Sequence, residues 1–257
     1  MKNLNIHYAI LGDGRLARHM RHYLQQLGLK HSGWSRRHSS AFNTSDHPDA
    51  ATRLAHCIAP ATHVLLLVSD GAIGHILRRH PELQGRQLVH CAGAISLPGV
   101  AGAHPLMTFA ERLYPIEEMR QVPFLVDEGY RFEDILPGLP NPHYSIRLKD
   151  KALYHALCVV AGNFPQILWQ AVRQRLSGDL GLPPEMIGPY LRRSLENHLA
   201  EPGSALTGPL ARDDQGTRER NRSALEGDAL HALYQAFETF HAREETRDAR
   251  AHRETLP

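Results

Sequence analysis

The sequence predicts a doubly wound α/β domain with a mostly parallel sheet, followed by an all-helical domain. Three observations support this prediction. In the first half of the chain, uninterrupted apolar segments alternate with amphipathic ones, as in parallel sheets covered by helices on both faces. A glycine-rich turn follows the first apolar segment. Beyond a Pro-rich stretch at 136–151, only helical patterns remain.

The predicted strands are short apolar segments bounded by turn residues. The clearest is HVLLLVSD at 63–70, which contains five consecutive apolar residues. Segment 15–28 repeats apolar residues with a helical period and ends at Gly28, a typical helix stop. Segment 71–80 predicts a second, shorter helix. The full set of predicted strands is 5–11, 30–35, 63–70, 86–94 and 122–127.

The second half of the chain predicts helices and sets the domain boundaries. Pro165 should kink the first of these helices or split it in two, because proline removes a helical hydrogen bond. The sequence predicts a sheet domain at 1–146 and a helical domain at 147–245. The charged tail, 246–257, is expected to be frayed or disordered. The predicted helices cover 152–176, 183–200, 213–225 and 228–245.

Composition excludes several classes of function. The net charge is only +2 and the charges are scattered, so no nucleic-acid surface is expected. The 18 histidines are mostly isolated and form no ligand motif with cysteine, so no metal site is expected. Three distant cysteines, Cys57, Cys91 and Cys158, indicate reduced thiols in a cytoplasmic protein. No apolar stretch approaches the ~20 residues of a membrane span, so no membrane partner is expected.

The turn GDGRLA lies between the first predicted strand and the first predicted helix, as a dinucleotide-binding fingerprint does. Gly12 would allow the tight turn, Gly14 would leave room for a pyrophosphate, and Ala17 would let helix and strand pack closely. The unpaired N–H groups at the helix start would bind the phosphates. The alternative is an ordinary glycine-rich turn. The residues assigned to the cofactor here are Gly12, Gly14, Arg15, Leu16 and Ala17.

The end of the second predicted strand favours NADP(H) over NAD(H). An Asp or Glu normally binds the free 2′-hydroxyl of NAD about 20 residues beyond the glycines, but GWSRRHSS contains neither. This stretch offers Ser35, Arg36 and Arg37 instead, and arginine forks match a 2′-phosphate with paired bonds. The alternative is a solvated basic turn.

The third predicted strand should end beside the same turn, as it does in doubly wound sheets. Its last residues, Val68, Ser69 and Asp70, are therefore assigned to the adenosine side of the cofactor. Asp70 could instead cap the helix at 71–80, because aspartate is a favoured N-cap residue.

Three stretches make the sequence resemble a known family: AHPLMTF at 103–109, KALYHALCVVAGNF at 151–164 and ALTGPLARDDQGT at 205–217. In that family, part of the 6-phosphogluconate dehydrogenase-like superfamily, a Rossmann-like NADP-binding domain precedes a helical domain of formerly unknown function. Some members are assigned as non-standard ketopantoate reductases. Wider relatives include classical ketopantoate reductase, pyrroline-5-carboxylate reductase and the 3-hydroxyacid dehydrogenases. The resemblance runs from Gly12 to about Leu225.

The resemblance implies an NADPH-dependent reductase of a small 2-keto acid, with 2-dehydropantoate of pantothenate biosynthesis as the first candidate. Two alternatives remain: an NADP-dependent imine or 3-hydroxyacid oxidoreductase, and a non-catalytic NADP-binding sensor. The resemblance also implies a homodimer formed through the helical domain. His90, Ala92 and Gly93, in the turn after the fourth predicted strand, are assigned to the cofactor on the same basis.

The chain departs from the family pattern at three positions. Ala92 stands where the family usually has serine, and Asp213 stands where it usually has glycine. Val159 lies one helical turn before Asn163, in the place where the classical reductases have a catalytic lysine. The classical proton donor therefore cannot be carried over to this chain.

Reduction of a carbonyl leaves an alkoxide that needs a proton or hydrogen-bond donors. Lys151, His155 and Asn163 are candidates, because spacings of four and eight align them roughly on one face of a continuous helix. The alternative is a buried, satisfied histidine and a capping asparagine. His104 follows a small-residue loop and is expected near the nicotinamide, and it is a competing donor because histidine titrates near neutrality. The alternative is an ordinary loop histidine.

A 2-keto acid also needs a cation or hydrogen-bond donors for its carboxylate. Arg212 is the first candidate for this role, with Thr207 and Asn197 as further polar groups. The alternative for Arg212 is a surface ion pair, the usual fate of arginine.

Overall fold

The computed structural model describes residues 6–36 and 50–254 of the 257-residue chain. Arg37, one of the residues assigned to the cofactor, lies outside these ranges, as does the end of the charged tail, 255–257. The chain divides into two compact units, Met1–Trp169 and Gln170–Pro257. The division falls within a helix, and the domain boundary predicted at residue 146 stays a prediction.

Among the described residues, the first unit contains a seven-stranded sheet with strand order β2-β1-β3-β4-β5-β6-β7. The strands are β1 His7–Leu11, β2 Lys30–Trp34, β3 His63–Leu66, β4 Gln87–His90, β5 Ala101–Pro105, β6 Phe124–Asp127 and β7 His143–Ile146. Neighbouring strands are parallel except for the antiparallel pair β5 and β6. Strand β1 lies between β2 and β3, so the strand order reverses there, as in doubly wound sheets. The predicted fold class is confirmed.

Helices follow the strands and then fill the rest of the chain. Those of the first unit are α1 Arg15–Gln26, α2 Ala50–Ile58, α3 Asp70–Arg79, α4 Ile116–Gln121, α5 Phe132–Ile135 and α6 Lys151–Cys158. A π-helical turn, Val159–Asn163, joins α6 to α7, Phe164–Gly178. The later helices are α8 Gly188–Ala200, α9 Gln215–Ala224 and α10 Ala229–Glu254. Short 3₁₀ segments occur at Pro81–Leu83, Leu148–Asp150 and Pro184–Ile187.

Side chains of the sheet alternate between two buried faces. On β1, Tyr8 and Ile10 belong to one apolar cluster that includes residues of α1. Ala9 and Leu11 belong to another that includes residues of α2 and α3. All four of these β1 side chains are 0% exposed. Both faces of the sheet are covered, and this explains why its central strands consist mostly of consecutive apolar residues.

Helix α1 begins and ends close to where the sequence predicts. Gly14 is its N-cap and Gln26 its last residue, and Gly28 follows with φ of 69°. Glycine adopts this left-handed conformation without strain, so Gly28 ends the helix as expected. The buried residues of the helix repeat with its period and are Ala17, His19, Met20, Tyr23 and Leu24.

Two strands, β5 and β7, and three helices, α2, α4 and α5, of the sheet domain are missing from the sequence prediction. The β5 segment, AGAHP, has little intrinsic preference for a strand, but β4 and β6 pair with it on both sides. His104 therefore lies in a strand, and the alternative interpretation of it as a loop histidine is wrong. Strand β7 pairs only with β6 among the described strands and is mostly exposed, so it lacks the apolar run of a buried strand.

The apolar segment around Pro165 consists of two α-helices, α6 and α7, joined by a π-helical turn. Pro165 is the second residue of α7 and directly follows the π-helical turn Val159–Asn163. Proline cannot donate the backbone hydrogen bond of an α-helix, and the π-helical turn lies where that bond would be made. The assumption of one continuous α-helix between His155 and Asn163 is therefore wrong.

Helix α10 runs to Glu254 and includes most of the charged tail that the sequence predicts to be disordered. Residues of opposite charge stand one turn apart on it, as in the Glu244–Arg247 ion pair at 2.6 Å. Such pairs support the helix surface, so charge alone is a poor indicator of disorder here. Neither α10 nor any other described helix combines the length and apolar character needed to cross a membrane.

Candidate functional site

Gly12 is held in place by the protein itself, at the point where β1 ends. Its N–H donates to the carbonyl oxygen of Trp34 at 2.8 Å, and its φ is 131°. A Cβ atom at this position would lie 2.1 Å from the Leu67 carbonyl oxygen. The end of β1 therefore fits between its two neighbouring strands only if residue 12 has no side chain.

Gly14 has the opposite surroundings. It is exposed, and a Cβ atom on it would meet no protein atom within 4 Å among the described residues. Helix α1 starts here without a side-chain cap and without an acidic residue in its first turn. Its first N–H groups and the positive end of the helix dipole therefore face open space, which suits a phosphate.

The other residues of the glycine turn have distinct roles. Ala17 is 0% exposed and packs in the core, and Leu16 is partly buried against the same cluster. Arg15 is exposed and donates through Nε to Glu111 at 2.7 Å. Arg18 pairs with the other oxygen of Glu111 at 2.8 Å. Arg15 is thus already in an ion pair at the start of α1.

Ser35 and Arg36 follow β2 directly, next to the glycine turn. The hydrogen bond from Gly12 N–H to Trp34 joins the two segments. Ser35 is buried at 8% exposure, and Arg36 is exposed. No carboxylate occurs in the sequence from Lys30 to Arg36, so this end of β2 carries positive charge.

The end of β3 leads into α3 on the other side of β1. Val68 is half-buried, whereas Ser69 and Asp70 are exposed. Ser69 is the N-cap of α3, and Asp70 is its first helical residue. The alternative assignment of Asp70 as the N-cap is therefore wrong, although its charge still suits the first turn of a helix.

The turn after β4 is buried. His90 is 0% exposed, and its Nδ1 accepts a hydrogen bond from the backbone N–H of Ala92 at 3.2 Å. Its proton must therefore be on Nε2, for which the described residues supply no acceptor. Burial is the main reason that the pKa of His90 is lowered, and the Lys151 charge adds to the effect. The ring is accordingly neutral near pH 7.

Gly93 closes this turn and leaves room for two histidine rings. A Cβ atom on Gly93 would lie 2.4 Å from Cδ2 of His155 and 3.1 Å from Nε2 of His104. The two rings pack edge-to-face, with centroids 5.8 Å apart. The structure thus brings together three residues that the sequence assigns to cofactor or catalysis from three separate segments.

His104 is not the near-neutral acid that the sequence suggests. Burial, followed by the charges of His155 and Lys151, lowers its pKa from 6.5 to about 4. Its Nδ1 lies 2.8 Å from the hydroxyl oxygen of Tyr154. His104 is therefore neutral at pH 7 and hydrogen-bonded to a tyrosine that the sequence prediction missed.

Lys151 forms a buried ion pair with Asp127, which the sequence prediction also missed. Lys151 Nζ lies 2.5 Å from Asp127 Oδ1, and the two side chains are 3% and 2% exposed. The Asp127 carboxylate occupies space left by Gly102, where a Cβ atom would lie 2.4 Å from Oδ2. Gly102 is in turn the register partner of His90. Lys151 is thus already paired in the buried interior of the first unit.

Two of the stretches that carry the family resemblance meet in the first unit. His104 contacts Tyr154, and a Cβ atom on Gly162 would lie 3.7 Å from the methyl carbon of Thr108. Asn163, next to Gly162, is exposed at the end of the π-helical turn. A catalytic role for Asn163 stays a prediction.

The residues assigned to the substrate belong to the second unit. Asn197 is exposed on α8, and Thr207 and Arg212 are exposed in the segment between α8 and α9. Asp213 adopts φ of 48°, a left-handed conformation that glycine adopts more readily. Asp214 then caps α9 by accepting from the Thr217 N–H at 2.9 Å. Asp213 thus adopts a conformation that favours glycine, at the position where the resembling family usually has glycine.

The fold and the glycine turn define a two-unit protein with a doubly wound sheet. Residues 129–239 match a family described as a domain of unknown function (DUF2520). Protein TM1727 from Thermotoga maritima is 26% identical, with 95% of this chain and 99% of that chain covered and a TM-score of 0.64. None of the curated proteins compared with the chain matches it.

Two further solved structures share the fold over nearly the whole chain. Protein BF3122 from Bacteroides fragilis, named as a candidate NADP oxidoreductase, is 21% identical, with coverages of 91% and 96% and a TM-score of 0.69. Pyrroline carboxylate reductase from Plasmodium falciparum, solved with NADP bound, is 11% identical, with coverages of 92% and 98% and a TM-score of 0.57. At these identities the likeness shows the fold alone.

Proposed function

We propose that this protein is an NADP(H)-dependent reductase of a small carbonyl substrate. The observation that carries the proposal is the arrangement around the end of β1. There the open start of α1 at Gly14 lies beside β2, which is followed by Ser35 and Arg36 rather than by an acidic residue. The open start of α1 suits a pyrophosphate, and the positively charged end of β2 suits a 2′-phosphate.

The residues present fit the cofactor that the proposal requires. The N–H groups at the start of α1 would hold the pyrophosphate, and Arg36 with Arg37 would hold the 2′-phosphate. Val68, Ser69 and the first turn of α3 would line the adenosine. The names of two proteins with the same fold, one an NADP oxidoreductase candidate and one a reductase with NADP bound, support this choice.

When bound, the nicotinamide would supply a hydride to the substrate carbon. The chain's own groups would then neutralise the oxygen that becomes negative. His104 and His155 lie together at Gly93, beyond the carboxyl end of β4, the edge at which ligands bind in doubly wound folds. Arg212, Thr207 and Asn197 are proposed to hold the carboxylate of the substrate.

Within this class, 2-dehydropantoate is the substrate that we propose first, because of the resemblance to the non-standard ketopantoate reductases. A cyclic imine, pyrroline-5-carboxylate, is the second candidate. The shared fold with a pyrroline carboxylate reductase favours it. Loss of NADPH absorbance with each compound in parallel assays separates the two substrates.

Replacing Arg36 and Arg37 together with alanine is expected to raise the KM for NADPH at least about 10-fold, because charge-assisted bonds to the 2′-phosphate are lost. The KM for NADH should change little, since NADH carries no such phosphate. Steady-state kinetics with both nucleotides measure the difference.

Arg79→Ala serves as the control for that change, because Arg79 is an exposed arginine at the far end of α3. An equal rise of the KM for NADPH and for NADH in the double variant would contradict the proposed binding of the 2′-phosphate by the two arginines. If calorimetry detected no binding of either nucleotide to the wild-type chain, the proposed cofactor would be contradicted.

We also propose that the protein is a homodimer formed through its helical unit. That unit exposes many large apolar side chains in the single chain, more than a solvated surface favours.

Light scattering should give twice the chain mass, and Phe237→Glu with Phe240→Glu should shift the protein towards monomer. Thr239→Glu on the same helix is the control, and a wild-type monomer would contradict the proposal. The exposed residues are Leu180, Leu182, Met186, Tyr190, Leu195, Leu199, Leu206, Leu233, Phe237 and Phe240.

A further inference from the structure

We propose that Tyr154 and His104 form a proton relay in which Tyr154 supplies, through the imidazole ring, the proton that a substrate oxygen takes up from His104. The inference rests on the proposed carbonyl reduction and names the missing proton donor. His104 is the catalytic residue, because its Nε2 would touch the substrate oxygen. Tyr154 acts through His104 and is a positioning residue.

The geometry of the pair supports the relay. Tyr154 lies in the middle of α6 and His104 near the end of β5, and their contact joins the helix to the sheet at 2.8 Å. The tyrosine ring stands edge-on to the imidazole, with an interplanar angle of 80°. The His155 ring packs against His104 in the same manner, at 83°. His104 is therefore held by aromatic rings from two neighbouring residues of α6.

The contact with Tyr154 sets which nitrogen of His104 carries the proton. A phenol is a stronger donor than a neutral imidazole N–H, and imidazole nitrogen is a stronger acceptor than a phenol oxygen. Tyr154 therefore donates to Nδ1, and the proton of His104 lies on Nε2. Nε2 is directed at the turn after β4, where it would lie 3.1 Å from a Cβ atom on Gly93.

The charges around the ring explain why a relay is needed. Burial and the neighbouring charges hold the pKa of His104 at about 4, so an imidazolium is not available at pH 7. Burial is the main reason that the pKa of Tyr154 is raised above its usual value. Tyr154 therefore keeps its proton until a stronger base, such as an alkoxide, appears at the other end of the ring.

The proton steps balance without a charged imidazole. Hydride addition to the carbonyl carbon moves the π electron pair onto oxygen, and this oxygen takes the Nε2 proton. The phenol proton moves to Nδ1, which leaves a tyrosinate. Recovery needs one solvent proton, which Nε2 takes up as the Nδ1 proton returns to the tyrosinate.

Nitrogen NMR of the ligand-free, ¹⁵N-histidine-labelled protein tests the tautomer directly, without turnover. At pH 7 we expect His104 to show a protonated Nε2 and an unprotonated, hydrogen-bonded Nδ1. His104→Gln identifies the signals, and Tyr154→Phe should move the Nδ1 shift towards that of a free acceptor. A protonated Nδ1 in the wild-type chain would overturn the relay whether or not any substrate is reduced.

Kinetics test the same pair in the working enzyme. Tyr154→Phe should lower kcat for ketone reduction at least about 10-fold and leave the KM for NADPH unchanged, since general acids contribute factors of this size or more. Tyr144→Phe, at an exposed tyrosine of β7, is the matched control. An unchanged kcat in Tyr154→Phe overturns the relay and leaves the proposed function intact. A wild-type chain that binds NADPH but reduces no carbonyl overturns the proposed function. In that case the NMR measurement still shows whether Tyr154 donates its proton to His104 Nδ1.

Discussion

Replacing Lys151 with methionine is expected to lower the free energy of unfolding by about 3–5 kcal/mol, because it leaves a buried carboxylate without its counter-charge. Asp127 is 2% exposed on its side chain and lies 2.5 Å from Lys151 Nζ. The space beside it is closed by the backbone of Gly102, so solvent cannot readily replace the lost ammonium. Urea denaturation followed by circular dichroism measures the change.

The double variant Lys151→Met with Asp127→Leu separates the cost of an unpaired charge from the value of the pair. Removing both charges should recover most of the lost stability, because buried ion pairs are often no better than well-packed apolar residues. Arg15→Met is the control, since its ion pair with Glu111 is exposed and its loss should leave the denaturation midpoint nearly unchanged. A Lys151→Met midpoint equal to that of Arg15→Met would contradict the role assigned to the pair.

The two glycines of the turn are expected to respond oppositely to alanine. Gly12→Ala should lower the free energy of unfolding by at least about 3 kcal/mol, since it adds both backbone strain and a steric clash. Its Cβ atom would lie 2.1 Å from the Leu67 carbonyl oxygen, at a φ of 131°. Thermal or urea denaturation of the protein without nucleotide measures this effect.

Gly14→Ala should instead fold almost normally and lose nucleotide. Its backbone has φ of −66° and ψ of 178°, which alanine adopts readily, so less than about 1 kcal/mol should be lost from the weaker N-cap. The added methyl group enters the space proposed for the pyrophosphate, and the affinity for NADPH should fall at least about 10-fold. Calorimetry with NADPH measures the affinity, and unchanged binding in a folded Gly14→Ala protein would place the nucleotide elsewhere.

The sequence was a good guide wherever local rules decide the outcome. The helix from Arg15 onward, its end at Gly28 and the apolar strand at 63–70 follow from periodicity and from backbone conformations open only to glycine. Strand β5 and the left-handed Asp213 do not follow from such rules. Partner strands hold β5 in place, and Asp213 adopts a left-handed conformation that favours glycine.

The candidate site was predicted only in part, because its contacts join distant segments. His104, His155 and Lys151 were chosen by residue type and spacing, but Asp127 and Tyr154 were missed. Asp127 is 24 residues from its partner, and Tyr154 is 50 residues from His104. A polar residue at the end of an apolar strand and a tyrosine beside a helical histidine were the only local signals for them.

The sequence by itself determined the doubly wound sheet and the glycine turn, because hydrophobic periodicity and glycine's freedom are properties of short segments. Only the tertiary structure decided that Lys151 forms an ion pair with Asp127, that His104 is neutral at pH 7, and that Tyr154 is hydrogen-bonded to His104. Charge and protonation depend on burial and on the groups that face a side chain across the fold. These quantities exist only once separate segments have packed together.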